Sequence, residues 1–240
     1  MDDLTQTEKR GAVLFDLDYT LWDHARAQNR AIRHLCTKHQ IDFDAFLPLY
    51  ERYNWDGWKA FAKGLISFTD MRLDRFIRSL EELEITHLSP SRLSEEYLAH
   101  YGNEVFLIDG AMDLLHELRR FYIIGVITNG TRDTQTKKVG RSALEGSLDF
   151  MFTVDDAGCS KPSEDFFRKA FEKAGVPSSR ITCVGDNFLE DIVGATRAGA
   201  GCTIWFNPAG NPIPEQYNVR PDFVITHLSE IAPILIPVSP

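Results

Sequence analysis

The chain has few cysteines and no long apolar run. Its four cysteines are scattered without CxxC spacing, at Cys36, Cys159, Cys183 and Cys202. In a chain of this length they are typical of buried thiols in a reducing compartment rather than of a disulfide framework. No apolar stretch approaches the roughly 18 residues that a membrane span needs, and the start, Met1–Leu4, lacks the basic-then-apolar pattern of a secretion signal. We therefore expect a cytoplasmic protein with no membrane partner.

Positive charge is also scarce. Lys and Arg number 26 against 35 Asp and Glu, which gives a net charge of −9. This balance argues against a nucleic-acid polymer as partner, whereas a small phosphorylated metabolite remains possible because a local site can be positive. The 240 residues are 43% hydrophobic, which suits a packed core in one domain with a large insertion or in two domains sharing a cleft.

Short apolar runs alternate with helix-length segments, mostly in the second half. The candidate strands are Ala12–Phe15, Tyr122–Ile127, Phe150–Val154, Ile181–Val184, Thr203–Phe206 and Asp222–Ile225. The candidate helices between them are Met112–Arg120, Thr131–Leu144, Glu164–Ala174 and Leu189–Ala198, with glycines at two expected helix ends, Gly175 and Gly199. This rhythm predicts an α/β fold: a doubly wound, Rossmann-like parallel sheet with helices on both faces.

Residues 24–104 have a different pattern, with helical periodicity and no convincing strand. Leu73, Phe76, Ile77, Leu80 and Leu83 follow helical spacing. Turn signals near 41–44, 64–69 and 86–91 divide the region into four helices. We predict an all-helical domain over 24–104, inserted into a core domain formed by 1–23 and 105–240.

Two aspartates directly follow the first strand, Asp16 and Asp18. Like charges this close repel each other and resist desolvation where the strand leaves the core. A divalent cation between them would offset that cost. The bland alternative is a pair of turn-capping residues.

Three further polar signatures each follow a later strand. They are Thr128-Asn129-Gly130, then Lys161-Pro162 in a loop past the third strand, then Gly185-Asp186 with Asp191 five residues on. Because the carboxyl ends of parallel strands meet at one edge of the sheet, all four signatures are expected to converge there.

This ordered set resembles the haloacid dehalogenase superfamily, whose members are mostly magnesium-dependent phosphatases. The helical insert after the first motif is similar to that family's first type of mobile cap. The resemblance implies that Asp16 is the nucleophile and that Asp18 is the general acid and base. It also implies a site for Mg²⁺, with Mn²⁺ as an alternative, formed by Asp16, the Asp18 main-chain carbonyl and Asp186. Asp191 would bind a water ligand of the metal or hydrogen-bond to one of the ligands. A place on a helix face or in the first turn of a helix would also account for an acidic residue at this position.

The resemblance further implies a phosphate-binding group. Thr128 would offer its hydroxyl, Asn129 and Gly130 their backbone N–H groups, and Lys161 its ammonium. Phosphoryl transfer depends on such positioning and charge neutralisation. Glu190 is expected at the surface.

The insert contains the run Tyr50-x-x-Tyr53-Asn54-x-x-x-Trp58-x-x-Phe61-x-x-Gly64-x-Ile66-Ser67. This run looks like the cap of bacterial 5′-nucleotidases that act on pyrimidine and noncanonical nucleoside monophosphates. Trp58 is a candidate for contact with substrate, but it shares helical spacing with Tyr53 and Phe61, so packing inside the insert explains it equally well. Trp55 is off the phase of these residues and is the better candidate for stacking on a base. Trp22 and His24 follow the catalytic loop and are expected to gate or line the entrance.

Together these features predict a Mg²⁺-dependent phosphomonoester hydrolase that acts through an aspartyl-phosphate on a small phosphorylated metabolite, for which a nucleoside 5′-monophosphate is one candidate. A phosphomutase would need the same core residues. A 2-haloacid dehalogenase is disfavoured by the acid at Asp18, and a silent scaffold by the intact set of motifs. The substrate and the oligomeric state are left open.

Overall fold

The computed structural model describes residues 9–62 and 64–236, which divide into two compact units. One comprises the described residues of Met1–Asp23 and Leu107–Pro240, and the other those of His24–Phe106. Across the described ranges, none of the helices combines the length and apolar character that a bilayer crossing requires. Met1–Leu4, on which the expectation about secretion rests, lies outside the described residues.

A six-stranded, all-parallel sheet forms the first unit. Its strands are β1 (Gly11–Phe15), β2 (Tyr122–Thr128), β3 (Phe150–Thr153), β4 (Ile181–Gly185), β5 (Cys202–Phe206) and β6 (Phe223–Ile225). The order across the sheet is β3-β2-β1-β4-β5-β6. The predicted doubly wound α/β fold is confirmed, with the ends of each strand within one residue of the prediction. The order reverses direction at β1, so β1 and β4 flank the topological switch point.

Four helices form the second unit, as the turn signals predict. They are α1 (His24–His39), α2 (Phe43–Ala62), α3 (Phe68–Glu82) and α4 (Pro90–Tyr101). Ser67 caps α3 by accepting a hydrogen bond from the Asp70 backbone N–H at 3.1 Å, and Pro90 occupies the first position of α4. The helical spacing predicted over this region places Phe76 and Leu80 in the core of the unit.

The sheet unit carries the remaining helices. They are α5 (Ala111–Leu118), α6 (Arg132–Val139), α7 (Val154–Ala157), α8 (Glu164–Ala174), α9 (Gly194–Arg197) and α10 (Ile231–Leu235). A π-helical stretch over Phe188–Val193 runs directly into α9. The prediction of one helix over Thr131–Leu144 was wrong in extent. The helix ends at Val139, and the Ser142 hydroxyl accepts from the Leu144 N–H in a turn instead.

The side chains of β1 alternate between two cores, one on each face of the sheet. Val13 and Phe15 pack in the core that includes α5 and α10. Ala12 and Leu14 pack in the core that includes α8. All five residues of β1 are buried, which holds the polar residues that follow it in a fixed position.

Candidate active site

The carboxyl ends of β1 and β4 lie side by side at the switch point. Phe15 pairs with Val184 in the sheet register, and the Asp16 N–H donates to the Val184 carbonyl at 2.8 Å. Asp16 directly follows β1, and Asp186 directly follows β4. The sheet therefore places these two carboxylates at the edge where open parallel sheets bind ligands.

A lysine ammonium links two carboxylates at this edge. Lys161 Nζ donates to Asp16 Oδ1 at 2.6 Å and to Asp191 Oδ1 at 2.6 Å. A third bond reaches the Ile127 carbonyl at 3.2 Å. Lys161 and Asp191 are each 2% exposed and Asp16 is 7% exposed. The charges form a buried ionic network, in which each bond is much less screened than at the surface.

The acids of this network carry more negative charge than the lysine offsets. Burial raises the pKa of Asp16; Lys161 opposes that rise, and the neighbouring carboxylates of Asp191 and Asp186 add to it. Burial also raises the pKa of Asp186 to about 7, with repulsion from Asp191 as the next cause. Burial alone would lower the pKa of Lys161, but the carboxylates of Asp16 and Asp191 raise it above its usual value. Further positive charge would stabilise this group of acids.

Asp186 is held in place by two donors. The Thr20 hydroxyl donates to Asp186 Oδ1 at 3.3 Å, and the Trp205 indole N–H donates to the Asp186 main-chain carbonyl at 2.8 Å. Thr20 is fully buried and Trp205 is 4% exposed. These contacts attach Asp186 to the β1 loop on one side and to β5 on the other.

The donor set fits a divalent cation. Carboxylate oxygens of Asp16, Asp186 and Asp191 all lie within 4.8 Å of one another. Hard oxygen donors of this type are the ligands that Mg²⁺ and Mn²⁺ prefer. Gly185 leaves the space that Asp191 occupies, because a Cβ at that position would lie 2.2 Å from Asp191 Oδ2. Ligation by the Asp18 main-chain carbonyl stays a prediction.

The Thr128 hydroxyl is oriented by two donors. Its oxygen accepts from the Gly130 N–H at 3.0 Å and from Gln135 Nε2 at 2.9 Å. A hydroxyl has two lone pairs and one hydrogen, so with both lone pairs used the O–H is left to donate. Thr128 is therefore prepared to donate to a ligand oxygen. The Gly130 N–H, which we predicted to face a phosphate, is instead used inside this turn.

Asn129 fixes the loop that carries Lys161. Its Oδ1 accepts from the Lys161 N–H at 2.8 Å, and its Nδ2 donates to the Lys161 carbonyl at 3.2 Å. Nδ2 also donates to Glu190 Oε2 at 3.0 Å. The surface position expected for Glu190 was wrong, because it is a partner of Asn129 and burial raises its pKa. Glu190 lies in the π-helical stretch that follows Asn187, and its N–H donates to Asn187 Oδ1 at 3.1 Å.

Both carboxylate oxygens of Asp18 are bound by residues of α6. Lys138 Nζ donates to Oδ1 at 2.6 Å, and Gln135 Nε2 donates to Oδ2 at 2.9 Å. The Lys138 side chain is 3% exposed, and that of Asp18 is 26% exposed. Gln135 is 1% exposed. Asp18 is thus held from the protein side with part of its surface open.

Gln135 and Lys138 were not predicted as site residues from the sequence. They lie three residues apart, so they occupy one face of α6, and the helix begins directly after the Thr128–Gly130 turn. That spacing next to a strand-end motif was the available signal. The burial of these two residues was not predicted, because a helix of mostly polar residues is normally expected to be exposed to solvent.

The four tryptophan and histidine candidates have different environments. The expectation that Trp22 lines an entrance was wrong: its ring is fully buried in the sheet unit's core, beneath Lys138 Nζ at 5.6 Å. The backbone turns back here, with the Trp22 N–H donating to the Leu17 carbonyl at 2.7 Å. His24 Nδ1 and the Tyr101 hydroxyl are 2.8 Å apart within the helical unit.

Trp55 and Trp58 both lie on α2. Trp55 is 61% exposed. Trp58 packs edge-on against Phe61 and Phe68, with ring centroids 5.8 and 6.0 Å away. Contact of either ring with substrate stays a prediction, and the packing of Trp58 supports the alternative of a core role for that residue.

Comparison with known proteins places the chain in a family. A family described as haloacid dehalogenase-like hydrolase matches residues 13–204. YfnB of Bacillus subtilis, named as a HAD-hydrolase, is 30% identical over 226 residues, which cover 93% of this chain and 94% of YfnB. The pyrimidine 5′-nucleotidase YjjG of Escherichia coli is 28% identical over 227 residues, which cover 93% of this chain and 96% of YjjG.

Solved structures agree with the sequence matches. A crystal structure of YfnB bound to magnesium superposes with a TM-score of 0.85 at 28% identity, covering 95% of this chain and all of that one. The L-2-haloacid dehalogenase of Xanthobacter autotrophicus shares the fold, with a TM-score of 0.75 at 18% identity and coverage of 95% and 99%. This chain belongs to the haloacid dehalogenase-like hydrolase family.

Proposed function

We propose that this chain is a phosphomonoester hydrolase that requires a divalent cation and works through a phosphorylated Asp16. The observation that carries the proposal is the cluster of the Asp16, Asp186 and Asp191 carboxylates, with the buried Lys161 ammonium paired to Asp16 and Asp191. An oxyanion nucleophile that must approach a phosphoryl group needs nearby positive charge, and a metal ion with Lys161 would supply it.

In the first half-reaction an Asp16 carboxylate oxygen attacks phosphorus, and the bond from phosphorus to the ester oxygen breaks. The leaving oxygen takes a proton from the Asp18 carboxyl group. The Thr128 hydroxyl donates to a phosphoryl oxygen, for which its two hydrogen bonds orient it, and Lys161 neutralises charge beside Asp16.

In the second half-reaction water attacks phosphorus of the acyl phosphate while Asp18 takes a proton from that water. The bond between Asp16 and phosphorus breaks, inorganic phosphate leaves and the Asp16 carboxylate is restored. Asp16 and Asp186 would hold Mg²⁺, with Asp191 beside them. The ion would neutralise charge on the phosphoryl group, and Mn²⁺ would serve the same purpose.

We infer that the substrate is a small phosphorylated metabolite, with nucleoside 5′-monophosphates as the first class to test. Support comes from YjjG, which is named as a pyrimidine 5′-nucleotidase, and from the exposed ring of Trp55, which could stack on a base. The helical unit as a substrate-selecting cap, and the boundary predicted for it at residue 104, belong to the same proposal.

Phosphate release from a panel of esters tests this function. The panel contains p-nitrophenyl phosphate, nucleoside 5′-monophosphates and sugar phosphates, each with Mg²⁺, with Mn²⁺ or with chelator. Asp16→Asn is the inactive variant, and Asp133→Asn is the matched control because Asp133 is 87% exposed and pairs with Lys137. We expect metal-dependent release from the wild type and the control and none from Asp16→Asn.

Several outcomes would contradict the proposal. Release by Asp16→Asn at the wild-type rate refutes the nucleophile, and undiminished release in chelator refutes the metal requirement. Halide release from a 2-haloacid without phosphate release favours a dehalogenase. Isomerisation of a sugar phosphate without net release favours a phosphomutase.

A further inference from the structure

Helix α6 buries its polar residues instead of apolar ones. Its buried members are Gln135 and Lys138, whereas Lys137 between them has a side chain that is 62% exposed. Burying an ammonium and an amide is unfavourable unless their hydrogen bonds are made. Lys138 Nζ donates to Asp18, and Gln135 Nε2 donates to Asp18 and Thr128, all at the proposed active site. Gln135 Oε1, in contrast, has no hydrogen-bond partner among the described residues. The burial of this face therefore serves the site as well as packing.

The two side chains fix the orientation of the Asp18 carboxylate. Lys138 donates to one oxygen at 2.6 Å and Gln135 to the other at 2.9 Å. A carboxylate bound at both oxygens cannot rotate about its terminal torsion without losing one of these bonds.

Gln135 also connects Asp18 to the phosphate-binding side of the site. The two hydrogens of its Nε2 go to Asp18 Oδ2 and to Thr128 Oγ1, each at 2.9 Å. The amide lies against Gly130, where an added Cβ would lie 2.1 Å from Gln135 Nε2. The glycine of the strand-end turn thus makes room for the amide that spans Thr128 and Asp18.

We propose that Lys138 and Gln135 are positioning residues for proton transfer by Asp18, and that Gln135 aligns Asp18 with the Thr128 hydroxyl. This inference rests on the proposed function, since it assigns a purpose to contacts of the proposed acid. Neither residue is expected to touch the phosphoryl group. Their removal should weaken transfer of a proton to the leaving oxygen and leave the attack by Asp16 largely intact.

The dependence on the leaving group separates these effects. An alkyl ester such as a nucleoside 5′-monophosphate needs the proton, whereas p-nitrophenolate leaves readily without one. The quantity to compare is kcat/KM, which covers the steps up to phosphoryl transfer and not the later hydrolysis common to both esters. The variants are Lys138→Met, Lys138→Arg and Gln135→Met. Lys137→Met is the matched control, since it removes the same charge from the same helix without touching Asp18.

For Lys138→Met and Gln135→Met we expect kcat/KM with the nucleotide to fall by about 30-fold or more, a substantial part of the roughly 10²–10⁴-fold that general acid catalysis supplies. With p-nitrophenyl phosphate the fall should stay below about threefold. Lys138→Arg should recover much of the loss because it keeps a donor to Asp18, and Lys137→Met should match the wild type. Thermal unfolding of each variant, with and without Mg²⁺, checks that it is folded and binds the ion.

An equal fall with both esters, or no fall with either, in folded variants overturns the positioning roles while leaving the phosphatase intact. If Lys138→Met does not fold, the comparison of Gln135→Met with Lys138→Arg decides in the same way. A wild type that hydrolyses neither ester overturns the proposed function and this inference together.

Discussion

Replacing Lys161 by Met should destabilise the metal-free protein strongly and make its stability depend on Mg²⁺. The change removes the ammonium that bonds Asp16 and Asp191 at 2.6 Å each, while a thioether of similar length fills the space. Breaking a buried ion pair by removing one partner costs about 3–5 kcal/mol of unfolding free energy. The pKa of Asp16 is already raised by burial, and Lys161 opposes the rise. When Lys161 is lost, a carboxyl group can take up a proton, which reduces the cost of leaving it unpaired. We therefore expect the unfolding free energy to fall by about 3 kcal/mol at neutral pH, the lower end of that range.

Mg²⁺ should restore more stability to Lys161→Met than it adds to the wild type. The variant leaves the acids of the site without their ammonium, so a cation that binds only the folded state has more repulsion to relieve. Urea unfolding at pH 7, with chelator and with millimolar Mg²⁺, measures both quantities. Lys137→Met is the control, because its ion pair with Asp133 at 3.0 Å is exposed and contributes only about 0.3–0.5 kcal/mol. The account would be refuted if Lys161→Met lost no more unfolding free energy than this control. It would also be refuted if Mg²⁺ raised the unfolding free energy of Lys161→Met and of the wild type equally.

Three further predictions concern pH and packing. In chelator, the unfolding free energy should fall as pH rises from about 4 to about 7. The pKa of Asp186 is raised to about 7, so the folded state keeps this proton over a pH range in which the unfolded state has lost it. Mg²⁺ should remove this pH dependence in urea titrations, and a pH dependence that persists with Mg²⁺ would count against a cation site. Gly185→Ala should weaken Mg²⁺ binding by roughly tenfold or more in calorimetry, because the new Cβ must displace Asp191; unchanged affinity would exclude Asp191 from the site. Glu96→Gln should destabilise the protein by about 1 kcal/mol above pH 5, since hydrogen bonding to His39 lowers the pKa of Glu96 to about 2. That difference should vanish as pH falls from about 4.5 to about 2, and a difference that persists at pH 2 would contradict the assignment.

The sheet and the acids at its edge could be predicted from sequence for the same reason. Each strand is an apolar run that ends abruptly, so its boundary is visible, and in a parallel sheet the residue after that boundary lies at a known edge. Asp16 and Asp186 each directly follow a strand and Thr128 ends one, and a hydrogen bond from Thr20 joins the loop after Asp16 to Asp186. Lys161 comes from a longer connection, where the motif rather than the strand boundary indicated it.

The partners of Asp18 could not be predicted in this way. Gln135 and Lys138 lie within a helix, and their purpose depends on which helix face packs against the sheet, which a polar sequence does not reveal. Trp22 failed for a related reason: its place in the sequence suggested an exposed hinge, but the turn back to Leu17 buries the ring. Such contacts between distant segments are set by tertiary packing, and local sequence patterns carry little information about them.

The most direct test of the central claim is to identify the residue that becomes phosphorylated. The protein is mixed with Mg²⁺ and p-nitrophenyl phosphate, quenched in acid during turnover and reduced with borohydride, which converts an aspartyl phosphate to homoserine. Peptide mass spectrometry then locates the modified residue. The account predicts homoserine at position 16, dependent on substrate, with Asp18 unchanged. Phosphate release with Asp16 intact, or with homoserine at another position, would contradict it.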